Sequence, residues 1–143
     1  MKIYKTVEQI KADIVDSKLV IKGDVRFDVS FSIDASIVVD AGNIDAWDIK
    51  AKNIKAGDID ALDIKAKNIK AGDIDAWDID AENIDAWDIK AKNIKAGDIS
   101  FYAFAVAYVS FKCKSILGRR ENSKYFCLDN EVEITGETLK ASE

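Results

Sequence analysis

AGNIDAWDIKAKNIKAGDIDALDIKAKNIK, residues 41–70, opens a run in which one five-residue unit recurs without a slip to residue 100. Alanine stands at 41, 46, 51 and every fifth position to 96. Isoleucine stands at every fifth position too, as Ile44, Ile49, Ile54, Ile59, Ile64, Ile69, Ile74, Ile79, Ile84, Ile89, Ile94 and Ile99. Apolar residues five apart, or at alternating gaps of two and three, drift around a 3.6-residue helix and form no stripe. Ile and Ala two apart, around one Lys or Asp, are instead a minimal strand with both apolar side chains inward and the charge outward. The next two residues, such as Trp47-Asp48 or Lys52-Asn53, must turn the chain. Asp and Asn suit a corner because they bond to nearby backbone and tolerate left-handed conformations. Strand, corner, strand, corner predicts an all-β fold, a β-helix solenoid whose coils stack at about 4.8 Å around an isoleucine ladder.

Three sides to a coil would need 15 residues and four would need 20. Residues 41–70 repeat visibly at 15. Corner charges favour the square. At a period of 20, Asn43-Asp63-Asn83, Asp48-Asn68-Asp88 and Asn53-Asp73-Asn93 alternate. At 15, Asp58-Asp73-Asp88 and Asp48-Asp63-Asp78 become columns of like charge, which repel. The expectation is therefore a quadrilateral coil of about 20 residues. It stacks Lys67 between Trp47 and Trp87, and Trp77 between Gly57 and Gly97.

Outside the array the pattern changes. Thr6 and Gln9 form a capping box and Val7, Ile10 and Ile14 share one face, which predicts a short helix over residues 1–17 that lids the solenoid rather than lying on a membrane surface or a partner. From Leu19 to Ala41 apolar residues hold odd positions, the period of an extended strand. Residues 101–113 keep that alternation, but Tyr102, Phe104, Val106 and Tyr108 make the second face apolar as well. Such a strand calls for a cover on both sides, from the chain or from a second subunit. Residues 115–128 read as a loop, Val132–Ile134 as an edge strand, and Gly136 to Glu143 as a frayed tail. The 143 residues thus make one domain, 1–143: an N-terminal cap (1–18), the β-helix (19–115) and a C-terminal cap and tail (116–143).

Composition excludes more than it assigns. There is no histidine, which removes Ser-His and Cys-His pairs and histidine zinc sites. No phosphate-cradling or dinucleotide fingerprint occurs. Twelve Asp and one Glu in the array are interleaved with nine Lys, the pattern of a solvated face. No catalytic, cofactor or metal-binding residue is assigned, and an enzyme is not expected. The net charge of −5 with mixed signs makes nucleic acid an unfavoured partner. The charged N-terminus, the absence of a long apolar run and only two cysteines predict a cytoplasmic protein away from membranes. One basic cluster stands out: Lys112, Lys114, Arg119, Arg120 and Lys124. It is a candidate anion or partner patch. The competing reading pairs Arg119 and Arg120 with Asp129, Glu131 and Glu133.

The five-residue period, with Ile central and Asp or Asn before it, resembles pentapeptide-repeat proteins, which form square right-handed β-helices. That family buries a small residue two positions before the central one; here the small Ala follows by two. The whole chain, ending FKCKSILGRRENSKYFCLDNEVEI, is similar to uncharacterised repeat proteins of Firmicutes and their phages. The resemblance implies a bacterial or phage origin and a non-catalytic structural or protein-interaction module. It also implies a homodimer through the C-terminal end, on Tyr102, Phe104, Val106 and Tyr108. Some family members mimic DNA and bind DNA gyrase, which is the alternative role.

Overall fold

Ile44 pairs with Ile59, and Ile59 pairs with Ile74, so one coil of the array takes fifteen residues. The computed structural model describes residues 1–136 and the backbone of Thr138–Lys140. The array contributes β6 (Ile44–Lys55), β7 (Ile59–Lys70) and most of β8 (Asp73–Cys113). They run parallel in one continuous sheet that winds as a β-solenoid. Three ladders line its interior. Ile44, Ile59 and Ile74 mark the first face, Ile49, Ile64 and Ile79 the second, and Ile54, Ile69 and Ile84 the third. All twelve array isoleucines are buried, and so are nine of the alanines from Ala46 to Ala91. Ala56 and Ala96 are partly buried, and Ala41 is exposed and left-handed, with φ 53°.

The twenty-residue square coil is therefore not formed in the array, although the corner charges favoured it. Two Asp carboxylates about 4.8 Å apart in water repel by only about 0.9 kcal/mol before screening. Against this, the fifteen-residue register stacks like on like wherever like groups attract. Asn68 Nδ2 donates to Asn53 Oδ1 at 2.8 Å, Asn83 Nδ2 to Asn68 Oδ1 at 2.7 Å, and Asn53 Nδ2 to Ser36 Oγ at 3.1 Å. Each such bond contributes about 0.5–1.5 kcal/mol. Gly42, Gly57 and Gly72 stack so closely that a Cβ on Gly42 would strike the backbone of Gly23. The Gly57 and Gly72 N–H groups donate to the carbonyl one coil below. Trp47, Lys67 and Trp87 consequently lie on three different corners. Trp87 follows the glycine column, its backbone N–H donating to the Gly72 carbonyl at 2.8 Å, and Trp77 aligns with Leu62 rather than with Gly57.

Coils lengthen at both ends. Ahead of the array come β1 (Lys2–Tyr4), α1 (Val7–Ala12), β2 (Lys18–Lys22), β3 (Val25–Phe27), β4 (Phe31–Ser32) and β5 (Ser36–Asp40). The long odd-position strand is thus cut into short pieces that turn corners, while its inward residues from Leu19 to Val39 are buried, save half-buried Val29. Val25 pairs with Ile44 and Phe31 with Ile49, so four more residues, or three, enter each coil. Phe27, Phe31 and Tyr4 fill the wider interior as a stack of rings. Helix α1 carries the expected capping box, Thr6 with Gln9, but spans only six residues. Its Ile10 is fully buried, with Val7 and Ile14 packed beside the core.

After Cys113 follow β9 (Ser115–Gly118), β10 (Lys124–Cys127), β11 (Val132–Ile134) and β12 (Thr138–Lys140). Residues 115–128 thus add two strands where a loop was expected. β10 lies along Phe104–Ala107 and β11 along Phe111–Cys113. They extend the sheet at its edge and do not cover its outer face. Tyr102, Phe104 and Tyr108 stay exposed, while Val106 is buried. The tail from residue 137 onward, apart from the backbone of β12, lies outside the described residues.

Candidate interaction surfaces

The register sorts charge around each coil. In residues 56–70 the outward side chains run Asp58, Asp60, Asp63, then Lys65, Lys67, Lys70. The coil before repeats this as Asn43, Asp45, Asp48, then Lys50, Lys52, Lys55. Stacked in register, they give the rod an acidic side and a lysine side. The third coil, Asp73 to Asp85, is acidic throughout, and it sets Asp80 beside Lys65 and Asp85 beside Lys70. Glu82 likewise follows Lys67, so none of the three lysine columns runs on unrelieved.

Crowding shows in the acids. The Asp60, Asp63 and Asp73 carboxyls sit above the usual carboxylate range, first because partial burial disfavours their charge and then because of neighbours. For Asp63 those neighbours are Asp48 and Asp78. A carboxyl held above its unfolded value binds its proton more tightly in the folded chain. Its contribution is complete below the unfolded value and is lost as pH rises through the folded one. Asp63→Asn should therefore raise stability at pH 7 by roughly 0.5–1 kcal/mol, about one amide bond with the repulsion discounted for solvent screening. The gain should shrink as pH falls towards about 4. Thermal melts of both chains at the two pH values check this. Asp13 has the opposite sign, lowered by the Tyr4 hydroxyl at 2.8 Å and by Lys2.

The three corners carry different chemistry. One bears Trp47, Leu62 and Trp77, all exposed, then Lys92, whose ammonium stands 6.0 Å from the Trp77 ring. The second bears Lys52, Lys67 and Glu82, and the third the glycines followed by Trp87. Beyond Trp87 an aromatic patch continues. The Trp87 and Tyr102 rings are 5.8 Å apart, Phe104, Phe126 and Leu128 of the last coils are exposed as well, and exposed Tyr108 lies beside Lys90, 5.9 Å from its ammonium.

The basic cluster is distributed rather than gathered. Arg119 lies back along the outside of the rod, donating to Asp85, to Ser100 Oγ at 3.2 Å and to the Ala86 carbonyl at 2.7 Å. Arg120 lies 5.8 Å from the Tyr102 ring. Lys112 is 3.8 Å from Glu133, and Lys114 and Lys124 are exposed. Arg119 and Arg120 thus do not pair with Asp129, Glu131 or Glu133. The Arg119 partner lies 34 residues upstream. Once the coil is taken as fifteen residues, the sequence does signal the Trp-Leu-Trp corner, since 47, 62 and 77 then align. Cys113 is buried, and burial pushes its thiol up to about 11. No described helix is long and apolar enough to cross a membrane.

Comparison with protein-family models, with curated proteins and with solved structures returns no match to this chain.

Proposed function

We propose that the chain is a non-catalytic interaction module, a stiff rod that presents a charge-sorted surface to a protein partner. The observation that carries this reading is the fifteen-residue register, which gathers Asp45, Asp60, Asp75, Asp48, Asp63 and Asp78 along one corner and the lysines elsewhere. We take α1 and the last coil as its two caps, since a solenoid needs closed ends to stay soluble. The exposed Tyr102, Phe104 and Tyr108 are the surface on which a second copy would dock. Tagged full-length chain mixed with a host extract should retain a protein that excess untagged chain displaces. Retention of nothing displaceable would overturn the module, and light scattering of the same sample reads dimer against monomer.

A second reading gains from the same sorting. Nine array aspartates, Asp45 to Asp88, stand on the acidic side with no lysine among them before the fourth coil. A surface of that kind suits a decoy for a DNA-handling enzyme such as a topoisomerase. A supercoiling assay with DNA gyrase should then show inhibition or protection, and none would remove this reading.

A further inference from the structure

We infer that the ridge formed by Trp47, Leu62 and Trp77 docks a cationic amphipathic helix of a partner protein. This rests on the interaction-module reading and gives that partner its chemistry. The three side chains stand on one corner in successive coils and are 52%, 42% and 63% exposed. The fold itself does not require them. The equivalent positions of the other two corners hold Lys52, Lys67 and Glu82, or Gly42, Gly57 and Gly72, in the same coils. Apolar surface of this size kept in water over three coils marks a contact surface.

The flanks choose the occupant. Asp45, Asp60 and Asp75 border the ridge on one side, and Asp48, Asp63 and Asp78 on the other. Among the described residues none of these six carboxylates lies within 4 Å of a lysine or arginine nitrogen, and the cations nearest the first column stand at its ends, Arg26 in register with Asp45 and Lys90 beyond Asp75. An apolar stripe between two columns of negative charge is complementary to an apolar stripe between two rows of positive charge. The same sign turns away nucleic acid and anionic lipid. Spacing agrees as well. Coils recur at about 4.8 Å, and a helix repeats every ~5.4 Å. Over the two intervals from Trp47 to Trp77 the two drift apart by only about 1 Å. Residues i, i+3 or i+4, and i+7 of such a helix meet the three ridge side chains, while Lys or Arg beside them reach both aspartate columns. The chain already makes the elementary contact once, where Lys92 stands over Trp77.

The test uses the full chain and an 18-residue fluorescein-labelled peptide with leucines at i, i+3, i+4 and i+7 spacing and Lys or Arg elsewhere. A second peptide of identical composition has its leucines scrambled off the stripe. Fluorescence anisotropy should show saturable binding of the first peptide at least tenfold tighter than the second. Binding should weaken at least tenfold for the double variant W47A/W77A, with circular dichroism unchanged. Weakening of similar size is expected for D60N/D75N. Equal binding of the two peptides, or binding indifferent to W47A/W77A, overturns the inference. A chain that binds neither peptide yet still retains a displaceable protein from extract also overturns the ridge, and leaves the module standing.

Discussion

Ile69→Asp should abolish the cooperative melting transition, whereas Lys70→Asp next to it should leave the midpoint within a few degrees. Ile69 is 2% exposed and stacks between Ile54 and Ile84 on the third face. A carboxylate there has no cation in reach and no water. Leaving a charge buried without its partner costs about 3–5 kcal/mol, and the lost isoleucine adds to it, out of a usual total of roughly 5–15 kcal/mol. Geometry enlarges the effect. Each coil of a solenoid contacts only its neighbours, so a defect at Ile69 parts the rod into two halves, each with one raw end. Ile69→Ala, which leaves a cavity but no charge, should keep a transition and lower stability by about 2–5 kcal/mol. Lys70 faces solvent in a column with Lys55 and Asp85. Thermal melts by circular dichroism, with the β-sheet spectrum of each variant, measure all three.

That contrast between adjacent residues was legible from residue types alone. The two-residue gap between Ile and Ala says which side chains turn inward, and the twelve isoleucines are buried as it requires. The number of sides was also legible, but in a quieter signal than charge. Gly recurs at 42, 57 and 72, Asn at 53, 68 and 83, and a large apolar residue at 47, 62 and 77, all at fifteen. Aspartates in file looked prohibitive and are not, because exposed carboxylates in water repel weakly. Amide ladders and close glycine backbones in file are worth more. Like charge is a cost to be outweighed, while a glycine column is a steric condition. The wider end coils were hidden for another reason. Extra residues bulge at corners and leave the inward alternation intact, so the odd-position pattern from Leu19 to Val39 gives no hint of where the strand breaks. The Arg119 partner was hidden because it depends on which coil closes beneath which.

That partnership makes Arg119→Ala the second large effect, and a local one. One guanidinium joins the last coils to the array: Nη1 donates to Asp85 and to Ser100 Oγ, and Nη2 to the Ala86 carbonyl. The Arg119 backbone N–H adds a bond to the Phe101 carbonyl, which the substitution retains. The side chain is 30% exposed, so the bonds to it are partly shielded, while Asp85 is half exposed and its share is screened. Hydrogen bonds to charged groups contribute about 1.5–3 kcal/mol each. With that discount, the loss should come to about 2–4 kcal/mol. It should fall on the C-terminal coil, because β10 and β11 are held by four and three residues of pairing and have little else to resist fraying. Hydrogen exchange should quicken across residues 119–134 while the amides of residues 44–85 keep their protection. Arg119→Lys should recover only part of the loss, since a single ammonium cannot reproduce the planar fork that meets Asp85, Ser100 and Ala86 together. If exchange over 119–134 stayed unchanged, the guanidinium would be no clamp. Arg119 would then be free to serve, with Lys114 and Lys124, the anion patch that the sequence suggests.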